Sequence, residues 1–270
     1  MSVPTATKRL TTRDISRLRQ RAEPIAMLTA YDSVMAALVD QSGVDIILVG
    51  DSLGNVVLGH ETTLKVTLDD MIRHAAAVAR STEHALLVCD MPFGTTTDPD
   101  TALRGAVDIL QQTGVQAVKI EGGLAMVPVI KRLTDYGIPV MAHIGLMPQA
   151  VHQLGGYYTH GKAAESADRL AQEARALQEA GAFAIVLECV VPELARAITA
   201  ELSIPTIGIG SGPECAGQVL VINDLIGLNT RPAPSFAKPR ADAAGLVRTA
   251  VADYVAETKA TAPHKRAGAA

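Results

Sequence analysis

Six residues that could carry acid–base or metal chemistry stand at or near the ends of short apolar runs. They are Asp51, Asp90, Lys119, Glu121, His143 and Glu188. Carboxylates that lie close together repel one another unless a cation or shared protons balance them. No His/Cys ligand pattern accompanies these acids, and hard oxygen ligands favour Mg²⁺. The sequence therefore predicts a magnesium site with Asp51 and Asp90 as ligands and Glu121 directly or indirectly beside the ion.

Each of these residues also has an ordinary structural interpretation. An Asp directly after a strand often caps the following helix. Lys119 lies inside an apolar run, where an unpaired lysine is rarely tolerated, so it either pairs with Glu121 or Glu188 or binds a substrate carboxylate. His143 is either a core histidine bonded to a backbone carbonyl or part of the site. Because all six residues stand at or near the ends of buried runs, the sequence favours a catalytic or metal-binding role over the structural one.

Eight apolar runs alternate with longer helical patterns along the whole chain, and each is typical of a parallel strand buried on both faces. They are Ile25–Ala30, Ile46–Gly50, Ala85–Asp90, Ala117–Glu121, Val140–Ile144, Ala184–Glu188, Pro205–Gly210 and Val219–Asn223. Between them, Thr67 and Asp70 form a capping-box pattern, and Asp98-Pro99 opens a helix that stops at Gly114. This alternation predicts an α/β fold, a single (β/α)₈ barrel, with an open doubly wound sheet as the alternative. Barrels of this kind carry their active residues at the C-terminal ends of the strands.

Composition narrows the class of protein. The 270 residues are 48% hydrophobic with a net charge of −4, which supports one barrel core and argues against nucleic-acid binding. No apolar run is long enough for a bilayer and no secretory signal is evident, so the protein is expected in the cytoplasm without a membrane partner. The three cysteines indicate no disulfide framework, and Cys89 and Cys189 are expected to be buried thiols. We expect one domain, 1–270, with a core of about 12–255 and flexible ends at 1–9 and 258–270.

The chain resembles the ketopantoate (3-methyl-2-oxobutanoate) hydroxymethyltransferase family from about Thr12 to Val255. Eight motifs in order carry the resemblance, which makes it highly specific. They are Met27-Leu28-Thr29-Ala30-Tyr31-Asp32, Val49-Gly50-Asp51-Ser52-Leu53-Gly54, Asp90-Met91-Pro92-Phe93, Val118-Lys119-Ile120-Glu121-Gly122-Gly123, His143-Ile144-Gly145-Leu146-Met147-Pro148-Gln149, Gly155-Gly156-Tyr157, Leu187-Glu188-Cys189-Val190 and Ile207-Gly208-Ile209-Gly210-Ser211-Gly212. Four loop positions depart from the family's usual residues, namely Lys65, Tyr158, His160 and Ser211.

The resemblance implies a TIM-type barrel of the phosphoenolpyruvate/pyruvate-like superfamily. It also implies transfer of a hydroxymethyl group from 5,10-methylenetetrahydrofolate to 3-methyl-2-oxobutanoate, giving 2-dehydropantoate through a Mg²⁺-stabilised enolate in pantothenate synthesis. Asp51 and Asp90 would bind Mg²⁺ and substrate, and Glu121 would be a third carboxylate, direct or through water. The substrate would also contact Ser52, Lys119 and His143, and Glu188 would be the general base. The family further implies a homodecamer of two pentameric rings in the cytoplasm.

Two other classes of protein compete with this interpretation. A phosphoenolpyruvate mutase or isocitrate-lyase-like barrel also binds 2-oxo acids on Mg²⁺ near a Gly-Asp-Ser motif, but its catalytic cysteine loop is absent from this sequence. A non-catalytic assembly barrel would be expected to have lost the polar residues at its strand ends, and here they are intact.

Overall fold

Eight short parallel strands pair in sequence order, and the last pairs with the first to close a barrel. The computed structural model describes residues 8–156, 158–230 and 232–261. The strands are β1 (Ile25–Thr29), β2 (Ile46–Val49), β3 (Leu86–Asp90), β4 (Ala117–Glu121), β5 (Val140–Gly145), β6 (Ala184–Glu188), β7 (Thr206–Ile209) and β8 (Gly217–Leu220). The predicted closed barrel is confirmed, and the open sheet is excluded.

Helices fill the connections, and two of them show the predicted end signals. They are α1 (Thr12–Gln20), α2 (Ser33–Gln41), α3 (Leu53–Val56), α4 (Leu68–Ala79), α5 (Pro99–Thr113), α6 (Val127–Asp135), α7 (Val151–Leu154), α8 (Ala164–Glu179), α9 (Pro192–Glu201), α10 (Ile222–Ile226) and α11 (Ala243–Thr261), with 3₁₀ turns at Thr63–Lys65, Leu124–Met126 and Pro148–Ala150. Thr67 and Asp70 form the capping box of α4. Asp98 caps α5, which ends at Gly114 with a φ of 81°.

The barrel interior is packed with alternate residues of the strands and with Ile15 of α1. Its buried cluster consists of Ile15, Ile25, Met27, Ile46, Leu48, Leu86, Val88, Ala117, Met141, Ala184, Val186, Ile207 and Val219. Because side chains alternate along a strand, the inward positions of β3 to β6 continue to Asp90, Lys119 with Glu121, His143 and Glu188. The same period that builds the apolar core therefore turns these polar side chains inward at its C-terminal end.

Strand β8 begins earlier than the apolar run predicted. It spans Gly217–Leu220, whereas the predicted run was Val219–Asn223, and Ile222 already starts α10. Gly217 is buried so closely against β1 that a Cβ atom there would lie 2.5 Å from the Ile25 carbonyl oxygen. Hydropathy missed this start because the packing requires a residue with no side chain.

The chain divides into two compact units, residues 1–221 with the barrel and residues 222–270 with α10 and α11. Within the second unit, Asn229 donates to the Asp224 carboxylate at 2.5 Å. The expected single domain and its core limits remain predictions. The expected flexible ends lie mostly outside the described residues, as does Tyr157 of the quoted motifs. No helix in the described ranges is long and apolar enough to cross a membrane.

Candidate active site

All six predicted polar residues lie at one end of the barrel, on neighbouring strands. Asp51 follows β2, Asp90 and Glu188 end β3 and β6, and the other three belong to β4 and β5. Strand pairing places Asp90 beside Lys119 and Glu121 beside His143. The sequence interpretation of these residues as one group therefore agrees with their positions.

Lys119 is the buried cation of the group. Its Nζ lies 3.0 Å from Asp90 Oδ1 and 3.8 Å from Glu121 Oε1, and its side chain is only 6% exposed. Burial lowers the pKa of Lys119, but the charges of Asp90, Glu121 and Asp51 outweigh burial. The net effect raises the pKa above its ordinary value, so Lys119 remains charged. The structural alternative for Lys119 named Glu121 or Glu188 as partners. The pair with Glu121 is present, Asp90 is a further and shorter partner, and no ion pair with Glu188 is found among the described residues.

His143 lies between the two glutamates. Its Nε2 is 3.2 Å from Glu188 Oε2, close enough for an ion pair although not aligned as a hydrogen bond. Its Nδ1 is 3.5 Å from Glu121 Oε1 and 3.2 Å from Lys119 Nζ. Burial and Lys119 lower the pKa of His143, but the two glutamates outweigh them and raise it to about 9. His143 is thus protonated at neutral pH, and its ring contacts side chains rather than a backbone carbonyl.

This proton on His143 should make stability depend on pH. Because its pKa in the folded chain lies above the ordinary value of 6.5, the proton stabilises the fold fully below pH 6.5. That contribution is lost as pH rises through about 9, and it amounts to roughly 2–4 kcal/mol. Urea unfolding in EDTA measures this loss. Between pH 6.5 and 9.5 the free energy of unfolding of the native chain should fall by roughly 2–4 kcal/mol more than that of His143→Asn.

The exposed His152 on α7 provides the matched control for this measurement. His152→Asn should follow the pH dependence of the native chain. Equal slopes for the native chain and His143→Asn would show that His143 does not hold the proton.

Asp51 and Asp90 are buried next to each other. The Asp51 backbone N–H donates to Asp90 Oδ2 at 2.9 Å, and the two residues are 3% and 2% exposed. Burial, followed by the charges of Glu121 and Asp90, raises the pKa of Asp51 well above its ordinary value. Burial also raises the pKa of Asp90, although Lys119 opposes it. Such carboxylates are poorly stabilised as anions unless a cation lies beside them.

One divalent cation would balance the charges of the site. If all four carboxylates are ionised they carry four negative charges, and Lys119 with protonated His143 carries two positive ones, so a dication would balance the site. The raised pKa values of Asp51 and Asp90 indicate that their anions are disfavoured without such a cation. One oxygen of Asp51 accepts from Gln149 Nε2 at 2.8 Å, while its other oxygen has no hydrogen bond within the described residues. The donor set and the charge therefore fit Mg²⁺, which often takes one or two carboxylates and completes its shell with water and substrate oxygens.

Glu121, like Asp90, already has a partner at each of its oxygens, whereas one oxygen of Asp51 has no hydrogen bond within the described residues. Oε2 accepts from the Gln149 backbone N–H at 3.0 Å, and Oε1 faces His143 and Lys119. Burial raises the pKa of Glu121, but His143 and Lys119 lower it more, so it is an anion. Over the part of the chain that the structure describes, no set of three His, Cys, Asp or Glu side chains is arranged to hold a metal ion.

The buried carboxylates of Asp51, Asp90 and Glu121 form an acidic group. Ser52 lies at its edge, where Tyr31 contacts it. The Tyr31 hydroxyl is 2.8 Å from Ser52 Oγ, and His74 Nδ1 lies 2.6 Å from the Tyr31 carbonyl oxygen. A Cβ atom on Gly50 would come within 2.8 Å of Ser52 Oγ and 3.5 Å of Asp90 Oδ2. Glycine at position 50 thus allows the backbone to pass close to the site.

The turn that carries Glu188 is held by contacts that the sequence did not indicate. Ser211 Oγ donates to the Leu187 carbonyl at 2.7 Å and accepts from the Val190 N–H at 3.0 Å. Between them Cys189 has a φ of 50°, an uncommon conformation for a residue other than glycine. Cys89 is buried as expected, but Cys189 is only half-buried, because the chain leaves the barrel at this turn. Gly145 packs here too, since a Cβ atom would lie 2.2 Å from the Glu188 carbonyl oxygen.

Gln149 belongs to one of the family motifs, but neither the sequence pattern nor the resemblance assigns it a role. Its side chain donates to Asp51 and to the Met91 carbonyl at 3.0 Å, and its backbone N–H donates to Glu121. A glutamine in a loop after a strand carries no signal of this kind, because its partners are distant in sequence. Only the barrel places it at the acidic residues.

Solved structures with the same fold include a lyase and a phosphomutase. A 2,3-dimethylmalate lyase, described as a PEP mutase/isocitrate lyase superfamily member, has a TM-score of 0.60 at 18% identity, covering 96% of this chain and 91% of its own. A phosphoenolpyruvate phosphomutase from Streptomyces platensis subsp. rosaceus has a TM-score of 0.65 at 14% identity, covering 93% and 88%. At these identities the likeness establishes the fold alone.

Sequence relatives are far closer. A 3-methyl-2-oxobutanoate hydroxymethyltransferase from Roseiflexus sp. (strain RS-1) is 52% identical over 92% of this chain and 89% of its own length. One from Anaeromyxobacter sp. (strain Fw109-5) is 51% identical over 96% of this chain and 87% of its own. The family model described as ketopantoate hydroxymethyltransferase matches residues 9–264. With about half its residues identical over nearly its whole length, the chain belongs to the ketopantoate hydroxymethyltransferase family.

Proposed function

We propose that this protein transfers a hydroxymethyl group from 5,10-methylenetetrahydrofolate to 3-methyl-2-oxobutanoate. The two substrates and one water give 2-dehydropantoate and tetrahydrofolate. The observation that carries the proposal is the Glu188 carboxylate beside His143, at the edge of buried aspartates whose anions are disfavoured without a cation. That arrangement supplies a proton acceptor next to a place for a divalent cation, as proton removal beside a keto group requires. Relatives about 50% identical carry the corresponding enzyme name.

Glu188 is the general base in this proposal. It takes the proton from C3 of the 2-oxo acid, and the electron pair left on C3 forms the new bond to the methylene carbon of the folate. Both bonds from that carbon to the folate nitrogens break, and water supplies the hydroxyl group of the product. The proton from C3 and one proton from water end on the two nitrogens of tetrahydrofolate. Asp51 and Asp90 are poor candidates for the base because they neutralise the cation. His143 is a poor candidate because its pKa of about 9 keeps it protonated at neutral pH. Its position 3.2 Å from Glu188 instead orients that carboxylate.

Asp51 and Asp90 would hold Mg²⁺, with Glu121 acting through water. When bound, the ion supplies positive charge beside the keto and carboxylate oxygens of a 2-oxo acid, which favours loss of the C3 proton. Lys119 adds a second, permanent positive charge beside Asp90 and is placed to bind a substrate oxygen. Ser52, held by Tyr31, is placed to donate a hydrogen bond to the same ligand.

A Mg²⁺-dependent 2-oxo acid lyase or phosphonomutase is the second candidate, favoured by the fold of the solved structures. Both candidates place a 2-oxo acid at the same end of the barrel. They differ in that a lyase or mutase needs no folate and would change the 2-oxo acid alone.

Exchange of the C3 proton of 3-methyl-2-oxobutanoate for deuterium tests the proposed chemistry without the folate. NMR should show exchange that requires both the protein and Mg²⁺ and that EDTA abolishes. If the Mg²⁺-loaded protein does not accelerate exchange over buffer with Mg²⁺, removal of the C3 proton by Glu188 is excluded.

We also propose that the protein is a cytoplasmic homodecamer, as the family resemblance implies. Ten chains of 28.2 kDa make a particle of 282 kDa. Light scattering at micromolar concentration should give that mass. A mass of one or two chains under those conditions would contradict the decamer while leaving the chemistry untouched.

A further inference from the structure

Residues 147–156, in the connection from β5 to α8, hydrogen-bond to the buried acids through one residue, Gln149. Over residues 147–156, Gln149 makes all the hydrogen bonds that join the described segment to the rest of the chain. The other backbone hydrogen bonds of this stretch close its own turns, from Ala150 to Met147 and from Gly155 to Val151. The position of this stretch therefore depends on Gln149 more than on any other polar contact.

The three acceptors of Gln149 lie at the ends of three different strands. Its side-chain amide uses both N–H groups, one to Asp51 Oδ2 at 2.8 Å and one to the Met91 carbonyl at 3.0 Å. Its backbone N–H is the third donor and donates to Glu121 Oε2 at 3.0 Å. These acceptors follow or end β2, β3 and β4, so a residue after β5 connects four neighbouring strands.

Asp51 is the acceptor for which this connection has chemical consequences. The carboxylate is buried among other acids, and one of its two oxygens is taken by Gln149. That hydrogen bond fixes the carboxylate and leaves its other oxygen available to a cation. Groups that hold a metal ligand in this way control the affinity of the site, although they do not touch the metal.

We infer that Gln149 is a positioning residue for the cation site and couples it to the segment after β5. Docking of this segment orients Asp51, so the order of the segment and the affinity for Mg²⁺ change together. This inference rests on the proposed Mg²⁺ site at Asp51 and Asp90.

Gln149→Met tests the inference because it nearly keeps the length of the side chain and removes both amide donors. Titration calorimetry should show the Kd for Mg²⁺, in the absence of substrates, rising about 10–100-fold. Hydrogen–deuterium exchange without metal should show faster exchange of peptides from 147–156. Gln153→Met is the matched control, because Gln153 lies exposed in the same segment and its side chain makes no hydrogen bond within the described residues. It should match the native chain in both measurements.

The outcomes separate this inference from the proposed metal site. A native chain that does not bind Mg²⁺ would overturn the metal site and, with it, this inference. A native chain that binds Mg²⁺, with a Gln149→Met variant whose Kd is within twofold of it, would overturn the inference alone. Equal losses in the Gln149 and Gln153 variants would do so too. If Gln149→Met does not fold, Gln149→Asn provides the same comparison, because it keeps the amide but is one methylene too short to reach its partners.

Discussion

Glu188→Gln should lower the rate of C3 proton exchange in 3-methyl-2-oxobutanoate at least about 100-fold. The substitution keeps the shape of the side chain and removes the proton acceptor. Glu188 is not among the residues that would hold Mg²⁺, and it forms no ion pair with Lys119 within the described residues. The variant should therefore bind Mg²⁺ and the 2-oxo acid with little change, as measured by calorimetry.

His143→Asn is the companion variant, because His143 is the other titratable group beside Glu188. It removes a positive charge that orients the base and leaves the base in place, so exchange should fall less than in Glu188→Gln. If Glu188→Gln exchanges at the native rate and His143→Asn does not, the two roles are reversed and our assignment of the base is wrong.

Asp51→Asn and Asp90→Asn should both lose Mg²⁺-dependent exchange, by at least about 100-fold, because each removes one of two charged ligands. Their metal-free stabilities should differ. Asp51 is an acid whose pKa is raised by burial and by like charges, so a neutral Asn should leave the free energy of unfolding unchanged or higher. Asp90→Asn instead deprives Lys119 of its partner at 3.0 Å and should cost about 3–5 kcal/mol.

Urea unfolding of the two variants in EDTA, at pH 7, measures this difference. Asp14→Asn, in the capping box of α1 and distant in sequence from the site, controls for the loss of an Asp hydrogen bond. Full Mg²⁺-dependent activity of either site variant at ordinary Mg²⁺ concentration would exclude that residue as a ligand. Equal stabilities of the two variants would contradict the separate roles given to Asp51 and Asp90.

The positions of the site residues follow from the sequence because strands impose a period of two. Once Leu86, Val88 and the corresponding residues of β4 to β6 are assigned to the barrel interior, the next inward positions are the polar ones. This is why Asp90, Glu121 and Glu188 could be predicted from apolar runs and their ends, whereas Asp51 lies beyond β2 and out of phase with its inward residues Ile46 and Leu48. The roles given to these residues came from resemblance to a family, since a pattern of burial does not distinguish a base from a ligand.

Contacts between loops could not be predicted in this way. The partners of Gln149 and Ser211 are set by which strands are neighbours in the closed barrel, and hydropathy does not report this. The shorter of the two ion pairs of Lys119 was also missed, because Asp90 lies one strand away and 29 residues earlier in the chain. The start of β8 was missed for a different reason, because Gly217 fits its site by having no side chain.

The most direct test of the account is a single reaction with three components. The native protein is incubated with 3-methyl-2-oxobutanoate, Mg²⁺ and 5,10-methylenetetrahydrofolate labelled with ¹³C in the methylene group, and products are followed by mass spectrometry. We predict 2-dehydropantoate that contains the label, and none when the folate, Mg²⁺ or protein is omitted. Conversion of the 2-oxo acid without folate, or C3 exchange with no labelled product, would contradict hydroxymethyl transfer as the function of this barrel.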